Sequence, residues 1–70
     1  MMKIKSEVTG TVWKVEVQVG QEVATDDVLI IVESMKMEIP IVAERAGQIS
    51  EIFVGEGDPV VDDQVVIHLA

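Results

Sequence analysis

The chain has 70 residues, contains no cysteine, and carries a formal net charge of −8 from 13 acidic and 5 basic residues. Disulfides and thiolate metal sites are therefore excluded, and nucleic acid is not an expected partner, because binding to phosphates needs clustered lysine and arginine. Hydrophobic residues, mainly valine and isoleucine, make up 49% of the sequence, which favours a single compact β domain over residues 1–70 and argues against disorder.

Six segments have the alternation or the β-branched runs that predict strands. In chain order they are Ile4–Val8, Val12–Val19, Val28–Glu33, Met37–Ala43, Ile49–Val54 and Val65–Leu69. In the second segment, Val15, Val17 and Val19 are expected to share one face. Val23–Asp27 and Gly55–Pro59 are predicted to be connections. No window keeps helical spacing for long, so the chain is predicted to be all-β.

The second half of the chain repeats the first half at a shift of 37 positions. The shift superposes identical residues: Gly10 on Gly47, Gly20 on Gly57, Asp26 on Asp63, Val28 on Val65 and Ile30 on Ile67. Two copies are too few for a solenoid. Two β-rich halves, each with one face to bury, are instead expected to close on one another as a sandwich or flattened barrel. A pseudo-twofold axis between them would place the segment after Val32 and the C-terminus at opposite ends.

A polar break, Glu33-Ser34-Met35-Lys36-Met37-Glu38, separates the third and fourth predicted strands. This pattern predicts a hairpin turn that holds Lys36 in solvent on its flexible stem. Most exposed lysines at turns have no function, so Lys36 alone would be weak evidence for a site. Met35 and Met37 strengthen it, because a solvated turn has no need of two apolar side chains. We expect them to face a partner protein.

These residues resemble a known motif. Ser34-Met35-Lys36-Met37 is similar to the attachment motif of biotin carrier domains, which is usually Ala-Met-Lys-Met, and Glu33 fits the acidic residue that often precedes it. The stretch Ile31–Ala43 also resembles that of small biotin/lipoyl attachment proteins. The one departure is Ser34 in place of alanine, and serine is small and compatible with a turn.

The resemblance covers essentially the whole chain and implies a fold of two four-stranded antiparallel sheets with the lysine at a tight turn. It implies that Lys36 receives biotin in amide linkage from a biotin protein ligase. Glu33, Ser34, Met35 and Met37 would then serve the turn and its recognition by the ligase. It further implies a carrier without catalytic activity of its own, whose biotin moves carboxyl between a biotin carboxylase site and a carboxyltransferase site.

Two other functions stay open at this stage. A lipoyl carrier shares the fold and the turn lysine, although its usual flanking residues, Asp-Lys-Ala, differ from Met35 and Met37; dual modification by biotin and lipoate is compatible with the resemblance. The other alternative is an unmodified interaction module in which the methionines form a docking patch. An autonomous enzyme is disfavoured, because the sequence offers no pairing of nucleophile and base.

Three further features are predicted to be structural. Gly55–Pro59 has the glycines of a phosphate loop, but it is acidic and no helix follows it. His68 is the only histidine, and no second histidine or cysteine is present to complete a metal site with it. Asp26-Asp27 and Asp62-Asp63 occupy matching places in the repeat, which favours a shared turn role over a calcium site. No metal is therefore expected.

The sequence also predicts the location of the protein. No apolar run approaches the ~20 residues that a membrane-spanning helix needs, and the segment Met1–Ser6 lacks the apolar core of a signal peptide. No membrane association is expected, and the cytoplasm is the expected compartment. The Met1 start fits a free-standing carrier, and the sequence is equally compatible with a piece of a longer chain.

Overall fold

The computed structural model describes residues 2–70, and every regular element among them is a β-strand. The strands are β1 (Met2–Lys5), β2 (Gly10–Val15), β3 (Glu22–Val23), β4 (Val28–Ser34), β5 (Met37–Val42), β6 (Gly47–Ile52), β7 (Pro59–Val60) and β8 (Val65–Leu69). No stretch within residues 2–70 forms a helix of the length and apolar character needed to cross a bilayer.

The strands form two four-stranded sheets, with the orders β1-β8-β6-β3 and β5-β4-β2-β7. Every pairing is antiparallel. The predicted fold class, a flattened barrel or sandwich of two four-stranded antiparallel sheets, is confirmed. Each sheet takes two strands from each half of the sequence, so the halves interlock. Pro40 lies in β5 at a sheet edge, where a missing N–H interrupts no ladder.

The hydrogen bonds obey the pseudo-twofold relation that the repeat predicts. The N–H of Gly20 donates to the carbonyl of Ile49 at 2.7 Å, and the N–H of Gly57 donates to that of Val12 at 2.8 Å. These two glycines have φ values of 92° and 91°, a left-handed backbone that glycine adopts without steric cost. The two halves are therefore alike down to individual turns.

The core lies between the two sheets and consists of aliphatic side chains. Strands β4 and β8, which lie inside their sheets and correspond in the repeat, contribute most of it. Their residues with no exposed surface are Leu29, Ile30, Val32, Val66, Ile67 and Leu69. Apolar residues dominate both strands, and His68 is the one polar residue in β8.

The prediction of one strand from Val12 to Val19 is wrong beyond Val15. Val17 is buried, with 6% of its surface exposed, whereas Val19 is 62% exposed, so the two do not share a buried face. Residues 16–21 carry the chain from the β2 sheet to the β3 sheet. The N–H of Glu16 still bonds to Leu29 in the first sheet, and that of Gly20 bonds to Ile49 in the second.

Two strands that the sequence did not predict lie in the predicted connections. Strand β3 pairs Glu22 with Gln48, and β7 pairs Pro59 with Thr11. Each has two residues, which is too short for any periodicity to be visible. The opening strand also ends earlier than predicted, at Lys5 rather than Val8, because the chain bends there towards β2.

Candidate attachment site

The predicted hairpin is confirmed, with Lys36 at its tip. The pairing of β4 with β5 begins with Val28 opposite Val42 and ends with Ser34 opposite Met37. Only Met35 and Lys36 remain in the turn. Both turn residues have positive φ, 52° for Met35 and 64° for Lys36. Two consecutive positive φ values are the signature of the type I′ turn, whose twist matches that of the strands it joins.

The turn uses residues that strain it. Type I′ turns are usually Asn-Gly or Asp-Gly, because most side chains clash with the backbone at positive φ. Met35 and Lys36 both carry a Cβ, and each such conformation costs about 1–3 kcal/mol. Strain of this kind persists only where the surrounding structure enforces it, and it is concentrated at functional sites.

The methionines that flank Lys36 are exposed, as the sequence predicted. Met35 has 92% of its surface exposed and Met37 has 64%, and Lys36 is exposed between them. Neither methionine contributes to the core. Exposed, flexible, apolar side chains of this kind are well suited to a surface that contacts a partner.

The base of the hairpin is held by Ser34. Its side chain is partly buried, and its Oγ donates a hydrogen bond to the backbone carbonyl of Thr9 at 2.8 Å. Glu33, by contrast, is exposed and lies directly opposite Glu38 on β5. Two like charges at opposed positions repel each other and make the base of the hairpin negative. Ser34 therefore braces the base of the hairpin, and Glu33 and Glu38 place negative charge there.

Sequence reasoning missed Thr9. It accepts from Ser34 through its carbonyl, and its Oγ1 accepts from the N–H of Asp62 at 3.0 Å. Thr9 thus connects the lysine hairpin with the turn between β7 and β8. These contacts join residues 25 and 53 positions apart, and no local pattern in the sequence signals them.

The other residues that sequence reasoning examined have structural roles. The His68 ring meets the Phe53 ring edge-on, with centroids 4.6 Å apart. Asp26 and Asp63 occupy corresponding turns with φ values of 72° and 74°. Asp58 accepts from the N–H of Gly55 at 2.8 Å and closes its turn. Within residues 2–70, no group of three or more His, Asp or Glu side chains is placed to hold a metal ion.

The site is thus one exposed primary amine at the tip of a tight hairpin on a sandwich of two four-stranded sheets. This arrangement can offer the amine for covalent modification. A family model described as "Biotin-requiring enzyme" matches residues 1–69. The chain belongs to this biotin/lipoyl family.

Individual relatives agree with this assignment. The chain is 41% identical over 69 residues to the biotin/lipoyl attachment protein of Bacillus subtilis, and the match covers 99% of this chain and 94% of that protein. It is 52% identical over 48 residues to the biotin carboxyl carrier protein of acetyl-CoA carboxylase from Pseudomonas aeruginosa, covering 69% of this chain and 31% of that one.

A solved structure extends the comparison to a large enzyme. The fold superposes on part of the urea carboxylase of Kluyveromyces lactis with a TM-score of 0.94 at 33% identity. The match covers 99% of this chain and only 6% of the carboxylase. The chain therefore corresponds to one small part of that enzyme.

Proposed function

We propose that this protein is a biotin carrier and that Nζ of Lys36 is the atom to which biotin is attached. The observation that carries the proposal is the position of Lys36, an exposed amine at the tip of a strained type I′ hairpin between two exposed methionines. Covalent attachment requires an accessible amine at a defined place, and this residue meets both requirements.

The attachment would be catalysed by a biotin protein ligase. The Lys36 amine attacks the acyl carbon of an activated biotinyl adenylate; the new C–N bond forms, the bond from that carbon to the phosphate oxygen breaks, and AMP leaves. The amine attacks through its nitrogen lone pair and gives up a proton in the reaction. We assign the acceptance of that proton to the ligase, which supplies the catalytic groups.

Once attached, biotin supplies the carboxyl-carrying chemistry that a biotin carboxylase and a carboxyltransferase use at separate sites. This chain contributes the position of the attached biotin and its tethering. The hairpin holds the attachment point clear of the sandwich, and the tether replaces free diffusion by a high effective concentration at each partner site. The chemistry belongs to the cofactor and to the partner enzymes.

The test is the intact mass of the purified protein after incubation with a biotin protein ligase, biotin and ATP. We expect one biotinyl addition on the wild type and none on Lys36→Arg, which keeps the charge but removes the primary amine. Lys14→Arg, a matched change of another exposed lysine, should leave the addition unchanged. Biotin on the Lys36→Arg variant would show that another amine is the acceptor.

A lipoyl carrier is the second candidate, favoured by the Bacillus subtilis relative, whose name includes both groups. Incubation with a lipoyl ligase and lipoate distinguishes the two functions by mass. We expect biotin to be preferred, and we expect Met35→Asp with Met37→Ala to shift the preference towards lipoate. An unshifted mass with both ligases would favour an unmodified interaction module.

A further inference from the structure

A groove lies on the flank of the sandwich, between the crossing of residues 16–21 and the start of β4. Its volume is about 490 Å³, which is within the range of sites that bind small ligands. Buried and half-buried apolar side chains form its floor, and two exposed carboxylates lie at its rim. These residues, which define what we call the flank groove, are Val17, Val23, Val28 and Ile31 with Glu16 and Asp27.

The flank groove lies away from the lysine hairpin. Strand β4 contributes Val28 and Ile31 to it, in the half of the strand that is farther from Lys36. At about 3.3 Å per residue, Val28 is roughly 20 Å along the strand from Ser34. A partner in the flank groove can therefore hold the domain while Lys36 stays free.

The second half of the chain provides a comparison for this groove. The N–H of Glu16 donates to the carbonyl of Leu29 at 2.9 Å. At the shift of 37 positions, Phe53 takes the place of Glu16, and its N–H donates to the carbonyl of Val66, again at 2.9 Å. The two halves therefore build the same backbone frame around this place, and their side chains can be compared directly.

The two frames differ at two positions. Three of the lining valines recur in the second half: Val17, Val23 and Val28 correspond to Val54, Val60 and Val65. Glu16 and Ile31, in contrast, correspond to Phe53 and His68, and the Phe53 ring lies edge-on against the His68 ring. In the second half, a planar group thus covers the residue equivalent to Ile31. In the first half, Ile31 lines an open groove.

The charge of the rim decides which planar group fits the flank groove. An aromatic ring over Ile31 would remove water from the carboxylates of Glu16 and Asp27 without giving them a partner. An arginine guanidinium is also planar, is weakly hydrated, and donates paired hydrogen bonds to carboxylates, whereas a lysine ammonium is compact and strongly hydrated. The net charge of −8 further favours encounter with a basic surface.

The carboxylates have the capacity for these bonds. Oδ2 of Asp27 accepts from the N–H of Ala24 at 2.8 Å, and a carboxylate has a second oxygen that can accept another donor. A cation of the chain itself, Lys14, lies opposite Ile31 on β2. Its Nζ is 5.5 Å from the centre of the Trp13 ring, so its ammonium group already has a favourable partner in that ring.

We propose that the flank groove is a docking site for an arginine side chain of a partner protein. The guanidinium plane lies over Ile31, in the place that Phe53 takes over His68, and its N–H groups bond to Glu16 and Asp27. This inference goes beyond the proposed function and does not depend on the attachment of biotin. It assigns a holding role to the flank of the domain, separate from the modification of Lys36.

The experiment titrates N-acetylarginine amide into the isotope-labelled protein and follows the methyl resonances of Val17, Val28 and Ile31. Exposed ion pairs are weak, so we expect saturable shifts with a Kd of roughly 10 mM. N-acetylcitrulline amide, which is planar but uncharged, should bind at least roughly five-fold more weakly, because it forms no ion pairs. Tighter binding of N-acetylphenylalanine amide would overturn the choice of arginine.

Two charge-removing variants test the site. Glu16→Gln with Asp27→Asn keeps an acceptor for the Ala24 N–H and should raise the Kd at least roughly five-fold. Glu51→Gln with Asp62→Asn removes the same charge from two other exposed positions and should leave the Kd unchanged. Equal weakening in both variants would show general charge attraction and overturn the proposal.

A third variant transplants the side chains of the second half. Glu16→Phe with Ile31→His should rebuild the ring contact of Phe53 and His68 and abolish saturable binding of the arginine probe. Saturable binding that persists in this folded variant would contradict the proposed place of the guanidinium.

Biotinylation separates this site from the proposed function. Glu16→Gln with Asp27→Asn should be modified by a biotin protein ligase at the wild-type rate, and a slower rate would overturn the assignment of a separate site. If the wild type itself remained unmodified, the proposed function would fail, whereas the titrations would still decide the role of the flank groove.

Discussion

The hydroxyl of Ser34 donates to the carbonyl of Thr9 at 2.8 Å and ties the base of the lysine hairpin to the loop that precedes β2. Strand β4 of the hairpin already pairs with β2 as far as Glu33, opposite Thr11, and the Ser34 bond extends this attachment by one residue towards the tip. The bond holds the base of the turn that carries Lys36 against the rest of the sandwich. Serine at this position, where the family motif usually has alanine, adds a contact that alanine cannot make.

Ser34→Ala tests this contact. We expect the free energy of unfolding to fall by about 0.5–1.5 kcal/mol, the usual contribution of one hydrogen bond, while Lys36 remains a substrate. Chemical denaturation measures the loss, and amide hydrogen exchange locates it at Met35 to Met37. Ser50→Ala is the control, because Ser50 also bonds to a backbone carbonyl, that of His68, far from the hairpin. Faster exchange at the tip in both variants would contradict a local role for Ser34.

Relief of turn strain should stabilise the fold. Asparagine tolerates positive φ better than methionine does, so Met35→Asn should raise the free energy of unfolding by roughly 1 kcal/mol. Met37→Asn is the control: Met37 lies in β5, where asparagine is disfavoured, and it should give no gain. Denaturant titration of both variants measures the difference. Equal stability changes would mean that Met35 is not strained.

A one-residue shift of the lysine should abolish modification without unfolding the domain. The exchange of Met35→Lys with Lys36→Met keeps composition and charge, and both positions already have positive φ. The side chains of consecutive turn residues point in different directions, however, so the exchange would place the amine at a different position relative to the sandwich. We expect an unchanged circular dichroism spectrum and almost no ligase turnover. Wild-type turnover at equal folded concentration would show that the ligase reads a flexible peptide rather than a rigid hairpin.

Two glycines related by the pseudo-twofold axis should tolerate alanine unequally. A Cβ on Gly10 would lie 2.3 Å from the carbonyl oxygen of Glu33, inside the β4 strand, whereas a Cβ on Gly47 would meet the oxygen of Ala70 at 2.7 Å. Ala70 lies beyond β8 and can shift more easily. We expect Gly10→Ala to lower the free energy of unfolding by several kcal/mol, roughly 3 or more, and Gly47→Ala by clearly less. Thermal unfolding compares them, and equal losses would contradict this argument.

The sequence predicted the features that depend on composition and repetition. The apolar segments predicted strands β4 and β8. The repeat at a shift of 37 positions predicted that two similar halves pack together, and the polar break predicted the hairpin with Lys36 at its tip. Val19 shows where such patterns fail: its alternation with Val17 continues after the chain has left the sheet, and alternation carries no information about which sheet a residue faces. Thr9 became visible only in the fold, because its contact with Ser34 joins residues 25 positions apart.

The interlocking of the two halves has a consequence for how the protein acquires its shape. Strand β1 pairs with β8 of the second half, and β7 pairs with β2 of the first half in the sheet that contains the lysine hairpin. Neither half can bury its apolar face before the other is in place, so most stabilising contacts form late and between distant parts of the chain. High contact order of this kind slows folding and makes it all-or-none. The position of Lys36 on the sandwich is therefore set only once both halves of the chain have come together.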